Sequence, residues 1–292
     1  MAKARALDKR RKSIRNIRKI TRTMELVATA QFRRAMERAV SAGAYTERIA
    51  AMVADLARAG ASVSHPLLEE RQAKNGAALL ILTANRGMCG GYNSSILRKG
   101  HHRADELKSG YEKFRLLVSG KRGISYAKDR GIELAASFDQ FNDKPQYEDV
   151  VKIADDILSE YLAGNIDRFE VAYMKFISVS KQVPVVETLL PLSELAVGDE
   201  SAESKNTEYE FLPSPESILE EIVPTAFRVK LFKCFLDAAV GEQIARRVAM
   251  KAATDNADSM ISILTTTYNR ARQGQITNEI IEVVSGASAL QG

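Results

Sequence analysis

Hydrophobic residues near both ends of the chain recur at every third or fourth position, whereas those in the middle fall in short runs. No proline occurs between Asp8 and Leu56, and the apolar residues of this segment follow helical spacing. They are Ile17, Ile20, Met24, Val27, Ala28, Phe32, Ala35, Met36 and Ala39. The pattern predicts an amphipathic helix about 75 Å long, which must project from a small domain or pair with another long helix.

The C-terminal part of the chain carries a second pattern of this kind. From Pro224, a residue tolerated in a first helical turn, no further proline occurs, and the apolar residues again keep helical spacing. They are Leu236, Val240, Ile244, Val248, Ala252, Ala257, Met260, Leu264, Tyr268 and Ala271. Two long helices at opposite ends of the sequence predict an antiparallel coiled coil. Because Gln31, Asp255 and Thr266 interrupt its seam, we expect the two helices to associate weakly.

Five short apolar runs in the middle of the chain are typical of strands, and helical stretches follow the first three. The runs are 77–83, 114–120, 132–138, 169–179 and 183–192. This alternation predicts an open, largely parallel α/β layer, with an antiparallel hairpin of the last two strands at one edge. The predicted fold class is therefore an α/β domain combined with long helices.

The same patterns divide the chain into five segments. They are an N-terminal long helix (1–60), a linker (61–76), a central α/β domain (77–192), an acidic connector (193–223) and a C-terminal long helix (224–292).

Charge is distributed unevenly, although the formal net charge is only +5. Residues 1–22 hold ten Lys or Arg against one acid, and residues 193–221 hold nine Asp or Glu against one base. The two regions therefore should meet different partners. A basic coiled-coil protein that binds nucleic-acid phosphates is one alternative. The aromatic content of 7%, the lack of tryptophan and the lack of a nucleic-acid-binding motif argue against it.

A glycine-rich loop at 85–93 follows the first predicted strand and precedes a helix, where a phosphate cradle would lie in a nucleotide-binding fold. A nucleotide-dependent α/β enzyme is thus a second alternative. The loop lacks the G-x-G-x-x-G and G-x-x-x-x-G-K-[ST] spacings, so a tight structural turn built on Gly87, Gly90 and Gly91 is favoured.

Other chemistry has little support in the sequence. Cys89 and Cys234 lie far apart, and His65, His101 and His102 have no further ligand-type residue at metal-binding spacing, so neither a disulfide nor a metal site is predicted. The longest apolar run, 77–82, is far shorter than the roughly 20 residues of a membrane-spanning helix. We expect a soluble chain without cofactor or metal, docked at most to a membrane complex.

Three separated segments resemble the gamma subunit of F-type ATP synthases, of the bacterial type. They are IRKITRTMELVATAQFRRA (17–35), NRGMCGGYN (85–93) and the C-terminal ITNE at 276–279 followed by Glu282 and GAS at 286–288. The second segment departs from the family's D-R-G-L-C-G-G-Y/L-N loop at Asn85 and Met88. The resemblance covers nearly the whole chain, with its segments in the family's order.

The resemblance implies a central rotor shaft. Its coiled coil would thread a ring of three alpha and three beta subunits, and its α/β domain and connector would rest on the membrane c ring beside epsilon. Rotation driven by ion flow would then support ATP synthesis on beta, which makes this chain non-catalytic. It would need no cofactor, bind no nucleic acid and meet the membrane only through the complex. The phrase VAMKAATDNA at 248–257 resembles bacterial members, which implies the cytoplasmic face of the bacterial inner membrane.

The resemblance also implies roles for individual residues. Contacts with beta are expected at Met24, Arg246, Arg272, Gln273, Thr277, Glu279 and Glu282, with Arg272 and Gln273 forming a hydrogen-bonded catch. Contacts with the c ring and epsilon are expected at Tyr209 and Glu210. The chain has no cysteine-containing insertion of the chloroplast type, so thiol control of rotation is not expected.

Overall fold

The computed structural model describes residues 2–59, 65–71, 74–141, 144–192 and 215–291. These residues form two compact units, which we call the coiled-coil unit (Met1–Thr29 with Arg246–Gly292) and the α/β unit (Ala30–Ala245). No helix among the described residues has both the length and the apolar character needed to cross a membrane.

Two long helices contribute to both units. They are α1 (Ala2–Ala59) and the C-terminal helix, α5 (Pro215–Gln291). The predicted start of α5 at Pro224 is wrong, because the helix begins upstream and Pro224 lies inside it. Leu219 and Val223 are fully packed in the core on this stretch, and their burial outweighs the backbone hydrogen bond that proline cannot make.

The α/β unit contains one five-stranded sheet with the order β3-β2-β1-β4-β5. Its strands are β1 (Gly76–Leu82), β2 (Lys113–Ser119), β3 (Ala136–Phe138), β4 (Arg168–Ser178) and β5 (Lys181–Leu190), and its connecting helices are α2 (Tyr92–Gly110), α3 (Lys121–Asp129) and α4 (Tyr147–Leu162). Strands β1 to β4 pair in parallel, and β5 pairs antiparallel with β4 at one edge. The predicted layer and its edge hairpin are confirmed.

The third strand is shorter than predicted. Only Ala136–Phe138 pair with β2, whereas the apolar run began at Ile132. Ile132 and Leu134 instead pack against the core beneath α2. The apolar run at 132–138 therefore identified core residues correctly but overestimated the length of the strand.

The sheet is covered on both faces, which explains why β1 is apolar throughout. Ala78, Leu80 and Leu82 face a core shared with α4 and the first part of α5. Ala77, Leu79 and Ile81 face a second core beneath α2. The first part of α5 is therefore integral to the α/β unit.

Helix α1 also packs within the α/β unit. Its side chains Phe32, Ala35 and Ala39 form a cluster with three residues of α5. The α5 members are Leu236, Val240 and Ile244. Further along α1, a side chain at Gly43 would meet Cε of Lys233, which precedes Leu236 on α5, so the two helices run antiparallel here, as predicted.

Candidate functional site

The seam of the coiled-coil unit is built from small and polar residues. Ala28 of α1 and Ala257 of α5 are buried, and Met250 is the one large apolar residue buried with them in the described part of this unit. Thr21 and Thr254 are also buried, and the Thr254 hydroxyl donates to the Thr21 hydroxyl at 2.8 Å. Small side chains let two helix backbones approach closely, which leaves many large side chains on the outside.

Polar contacts across this seam follow the antiparallel order. Arg18 forms an ion pair with Asp258, and the Arg11 guanidinium lies 4.7 Å from the ring centroid of Tyr268. Both partners of the ion pair are about half exposed, so it adds little stability. The coiled-coil unit is therefore held by a narrow seam with modest polar support.

Of the apolar residues predicted for this seam, Ala28 and Ala257 are buried as expected, whereas several larger ones are not. Ile20 is 59% exposed and Val248 is 62% exposed, although both were predicted to face the partner helix. Ile17, Val27, Ala252 and Met260 are exposed as well. Periodicity finds the apolar stripe of a helix but does not say which edge of a wide stripe is buried. Periodicity did not identify Thr21 and Thr254 as buried residues. Both are polar, and only their helical spacing from buried alanines could have indicated that they lie in the seam.

The coiled-coil unit consequently exposes a large apolar surface. Its members, which we call the exposed apolar set, are Ile17, Ile20, Leu26, Val27, Val248, Met260, Ile263, Ile276, Ile280, Ile281, Val283 and Val284. Residues 276–288 of α5 are exposed throughout. Apolar surface on this scale marks a protein–protein interaction site.

A basic cleft lies beside this surface, between the start of α1 and the later part of α5. Its cavity of about 660 Å³ is lined by four basic side chains together with Ala4, Asp8, Tyr268, Gln275 and Ile276. The basic residues are Arg5, Lys9, Lys12 and Arg272. Hydrogen bonds from Lys12 and Arg11 lower the pKa of Asp8, so this acid stays ionised and offsets part of the positive charge. The remaining charge favours acidic groups on a partner.

The structure places five of the expected beta contacts on one exposed stretch of α5. They are Arg272, Gln273, Thr277, Glu279 and Glu282. The Thr277 hydroxyl donates to the Gln273 carbonyl at 3.0 Å, and Gln275 Nε2 donates to Glu279 Oε1 at 2.8 Å. These two bonds are local to the helix, so they leave the exposed face of this stretch accessible.

The two other expected contacts are less accessible. Met24 is half-buried. Arg246 is only 6% exposed, so little of its surface can reach a partner directly. Tyr209 and Glu210, the expected foot contacts, lie outside the described residues.

The glycine-rich loop closes tightly at the carboxyl end of β1. Gly90 has a φ of 57° and Met88 a φ of 60°, both in the left-handed region. A side chain at Gly87 would meet the Arg122 guanidinium at 2.7 Å, and Gly91 precedes the first residue of α2. Glycine is thus favoured at Gly90 by its backbone conformation, whereas a side chain at Gly87 would require the Arg122 guanidinium to move.

Two asparagines tie this loop to neighbouring loops. Asn85 Nδ2 donates to the carbonyls of Asp139 and Phe141 at 3.0 and 2.8 Å, and Asn85 Oδ1 accepts from the Lys121 amide at 2.9 Å. Asn93 Oδ1 accepts from the Ala84 amide at 2.9 Å. The loops that follow β1, β2 and β3 are therefore joined at one edge of the sheet.

A helix of the chain itself lies at that edge. In an open α/β sheet, ligands bind beyond the carboxyl ends of the strands, where the strand order reverses. Here α5 covers the ends of β1 and β2, and a cavity of about 30 Å³ between them is lined by Thr83, Tyr92, Phe235 and Ala238 among others. Ligand pockets usually measure about 300 to 1,000 Å³. The crevice binds a helix of its own chain in place of a ligand.

Comparison with known proteins identifies relatives over the full length. The family model described as ATP synthase matches residues 3–290. The ATP synthase gamma chain of Rhodopirellula baltica is 59% identical, and the two sequences cover 100% of each other. The ATP synthase gamma chain of Leptospira biflexa is 37% identical, over 99% of this chain and 100% of that one.

Solved structures share the fold. A chain of the Euglena gracilis mitochondrial ATP synthase OSCP/F1/c-ring assembly superposes with a TM-score of 0.67 at 16% identity, over 99% of this chain and 95% of that chain. A chain of the Tetrahymena thermophila mitochondrial ATP synthase central stalk and c ring gives a TM-score of 0.61 at 20% identity, over 80% and 99% respectively.

Proposed function

Because the chain belongs to the ATP synthase gamma chain family and is the central-stalk subunit of an F-type ATP synthase, we propose that it couples rotation of a membrane c ring to ATP synthesis on beta subunits. The observation that carries the proposal is the exposed apolar set of the coiled-coil unit. A surface of this kind needs a surrounding protein. The family assignment also displaces the nucleic-acid-binding and nucleotide-enzyme alternatives.

The surrounding protein in this proposal is a ring of three alpha and three beta subunits. Apolar contact is non-directional, so it can hold a turning shaft without any bond that must break at each step. The basic cleft and the polar stretch from Arg272 to Glu282 add charges that differ around the shaft. A beta subunit changes its nucleotide affinity only if the shaft contacts its open and closed forms differently. The uneven charge around the shaft supplies this difference in contact.

Catalysis in this proposal belongs to beta. The crevice of the α/β unit is filled by α5, which supports a mechanical role for this chain. Its α/β unit, together with the segment containing Tyr209 and Glu210, contacts the c ring and epsilon. The gamma chains of Rhodopirellula baltica and Leptospira biflexa are bacterial, which supports a peripheral position on the cytoplasmic face of the inner membrane.

We also propose that Arg272 and Gln273 form a hydrogen-bonded catch to beta, which their exposure beside the basic cleft supports. Both side chains can donate to acidic or carbonyl groups of a beta loop. We expect replacement of both by alanine to lower the ATP turnover of the assembled complex, with unchanged assembly measured by gel filtration. Unchanged turnover would contradict the catch.

The proposed function is tested by mixing the purified chain with alpha and beta subunits. Gel filtration reports assembly, and ATP hydrolysis is measured with and without the chain. We expect a single co-eluting complex whose sustained hydrolysis depends on the chain. Separate elution with unchanged hydrolysis, under conditions where another gamma chain assembles, would contradict the proposal.

A further inference from the structure

We infer that Tyr92 and Gly241 form a seat that transmits torque between the sheet and α5. The inference rests on the proposed function, because torque has meaning only for a rotor. It concerns residues of the α/β unit alone, and neither residue lies in the surfaces proposed above for the beta subunits or the c ring.

The first observation is the directional bond in this seat. Tyr92 begins α2, directly after the glycine-rich loop, and its side chain is 3% exposed. Its phenolic hydroxyl donates to the Ala238 carbonyl of α5 at 2.9 Å in a buried setting. Carbonyls inside a helix already accept from the amide four residues later, so this bond is an addition to the regular pattern. It fixes one point of α5 relative to the sheet edge.

The second observation is a close approach one turn further along α5. A side chain at Gly241 would meet Cγ of Met174 at 2.8 Å and Cε2 of Tyr92 at 3.6 Å. Met174 lies on β4, so α5 presses against both β4 and α2 at this glycine. Glycine inside a helix costs about 1 kcal/mol relative to alanine. Its presence here is explained by this contact.

The third observation is that polar bonds fix α5 on the neighbouring hairpin as well. Glu187 of β5 accepts from the Tyr173 hydroxyl at 2.7 Å, and Lys230 of α5 lies 3.6 Å from the same carboxylate. Lys230 lies on the part of α5 that precedes the seat, so α5 contacts the hairpin there as well as contacting β4 and α2 at the seat.

The seat differs from ordinary core packing because it resists rotation of α5 about the helix axis. Apolar packing opposes separation of two elements but tolerates small rotations of a helix about its axis. A directional hydrogen bond and a glycine notch oppose that rotation, because both hold only for one angular setting of α5. The crevice that would bind a ligand in another α/β protein therefore holds α5, the helix to which torque is transmitted.

The experiment uses the membrane-bound complex and the soluble complex with alpha and beta. In the membrane-bound complex, torque must pass between α5 and the sheet of the α/β unit, which the proposed function places on the c ring. In the soluble complex, no load acts on the α/β unit. The variants are Tyr92→Phe, Gly241→Ala and the double variant. Gly110→Ala is the matched control, because a side chain at Gly110 meets nothing within 4 Å.

We expect protons pumped per ATP hydrolysed in vesicles to fall by about twofold or more in the double variant. Hydrolysis by its soluble complex should match the wild type, and Gly110→Ala should match the wild type in both assays. A pumping ratio equal to the wild type in an assembled double variant would overturn the inference. Failure of both single variants to assemble would also overturn it, since the residues would then serve folding. Failure of the wild-type chain to assemble would count against the proposed function instead.

Discussion

At the scale of the residue, two glycines of the same helix differ in what surrounds them. Gly241 and Gly274 both lie inside α5, yet a side chain at Gly241 would collide with Met174 and one at Gly274 would meet nothing within 4 Å. The sequence around these glycines does not reveal this difference, because it depends on what packs against the helix.

Alanine at these two glycines should therefore act in opposite directions. Gly274→Ala should raise the free energy of unfolding of the isolated chain by about 0.5 to 1 kcal/mol, because alanine favours helix. Gly241→Ala should lower it, because the contact with Met174 outweighs the same gain. Thermal unfolding measured by circular dichroism checks both. A stabilising Gly241→Ala would contradict the close approach.

The buried carboxylate Glu170 gives a second prediction. It is 1% exposed, and Arg103 donates to its two oxygens at 2.7 Å each. Removing the guanidinium in Arg103→Met leaves the carboxylate less well paired, so the free energy of unfolding should fall by about 3 kcal/mol. Arg115→Met, which breaks the exposed pair with Glu160, should cost less than about 1 kcal/mol. Equal losses in the two variants would contradict the buried network.

Glu170 should also make stability depend on pH. Burial raises its pKa, but the hydrogen bonds from Arg103 and Arg168 outweigh burial and leave the pKa lowered. A carboxyl group with a lowered pKa in the folded state stabilises fully above its unfolded pKa, near 4.5, and loses this contribution as the pH falls through the folded value. Glu170→Gln should reduce the loss of unfolding free energy at acid pH, measured by urea unfolding at a series of pH values. An equal loss in the variant and the wild type would assign the acid sensitivity to other groups.

At the scale of the element, the sequence predicted where helices and strands lie better than which side they bury. The strand runs were found because an all-apolar heptapeptide such as β1 is buried on both faces. The seam of the coiled-coil unit was misplaced because Ile20 and Val248 look like core residues but face outward. The start of α5 was misplaced because core packing overrides the helix-breaking tendency of Pro224. In each case the error concerned contacts distant in sequence.

The Thr21–Thr254 bond gives the prediction at this scale. Thr254→Val should lower the free energy of unfolding by about 1 kcal/mol, since it removes a buried hydrogen bond between α1 and α5. Thr23→Val is the matched control, because the Thr23 hydroxyl is exposed and donates to the Lys19 carbonyl of its own helix. Hydrogen exchange of the coiled-coil unit should increase in the first variant and not in the second. Equal exchange in both would contradict the seam described here.

At the scale of the whole molecule, the exposed apolar set should affect the isolated chain and the assembled complex differently. Its members add little to the stability of the isolated chain because they contact solvent. They should matter once alpha and beta surround them.

Replacing Ile280 and Val284 by serine distinguishes an effect on the isolated chain from an effect on the complex. Both residues are more than half exposed, so the double variant should unfold at the wild-type temperature as an isolated chain. In the complex it should lower chain-dependent ATP hydrolysis. Leu162→Ser on α4, which replaces a residue of similar exposure in the α/β unit, should leave that hydrolysis unchanged. Wild-type hydrolysis in the Ile280/Val284 double variant would contradict the role of the exposed apolar set.

Rotation of this chain inside a ring of alpha and beta subunits can be observed directly. The alpha and beta ring of the assembled complex is fixed to a surface, a visible probe is attached to the α/β unit, and single complexes are recorded in the presence of ATP. We expect rotation in one direction that stops when ATP is removed. A complex that hydrolyses ATP in a chain-dependent manner while the probe stays still, or turns equally in both directions, would contradict it.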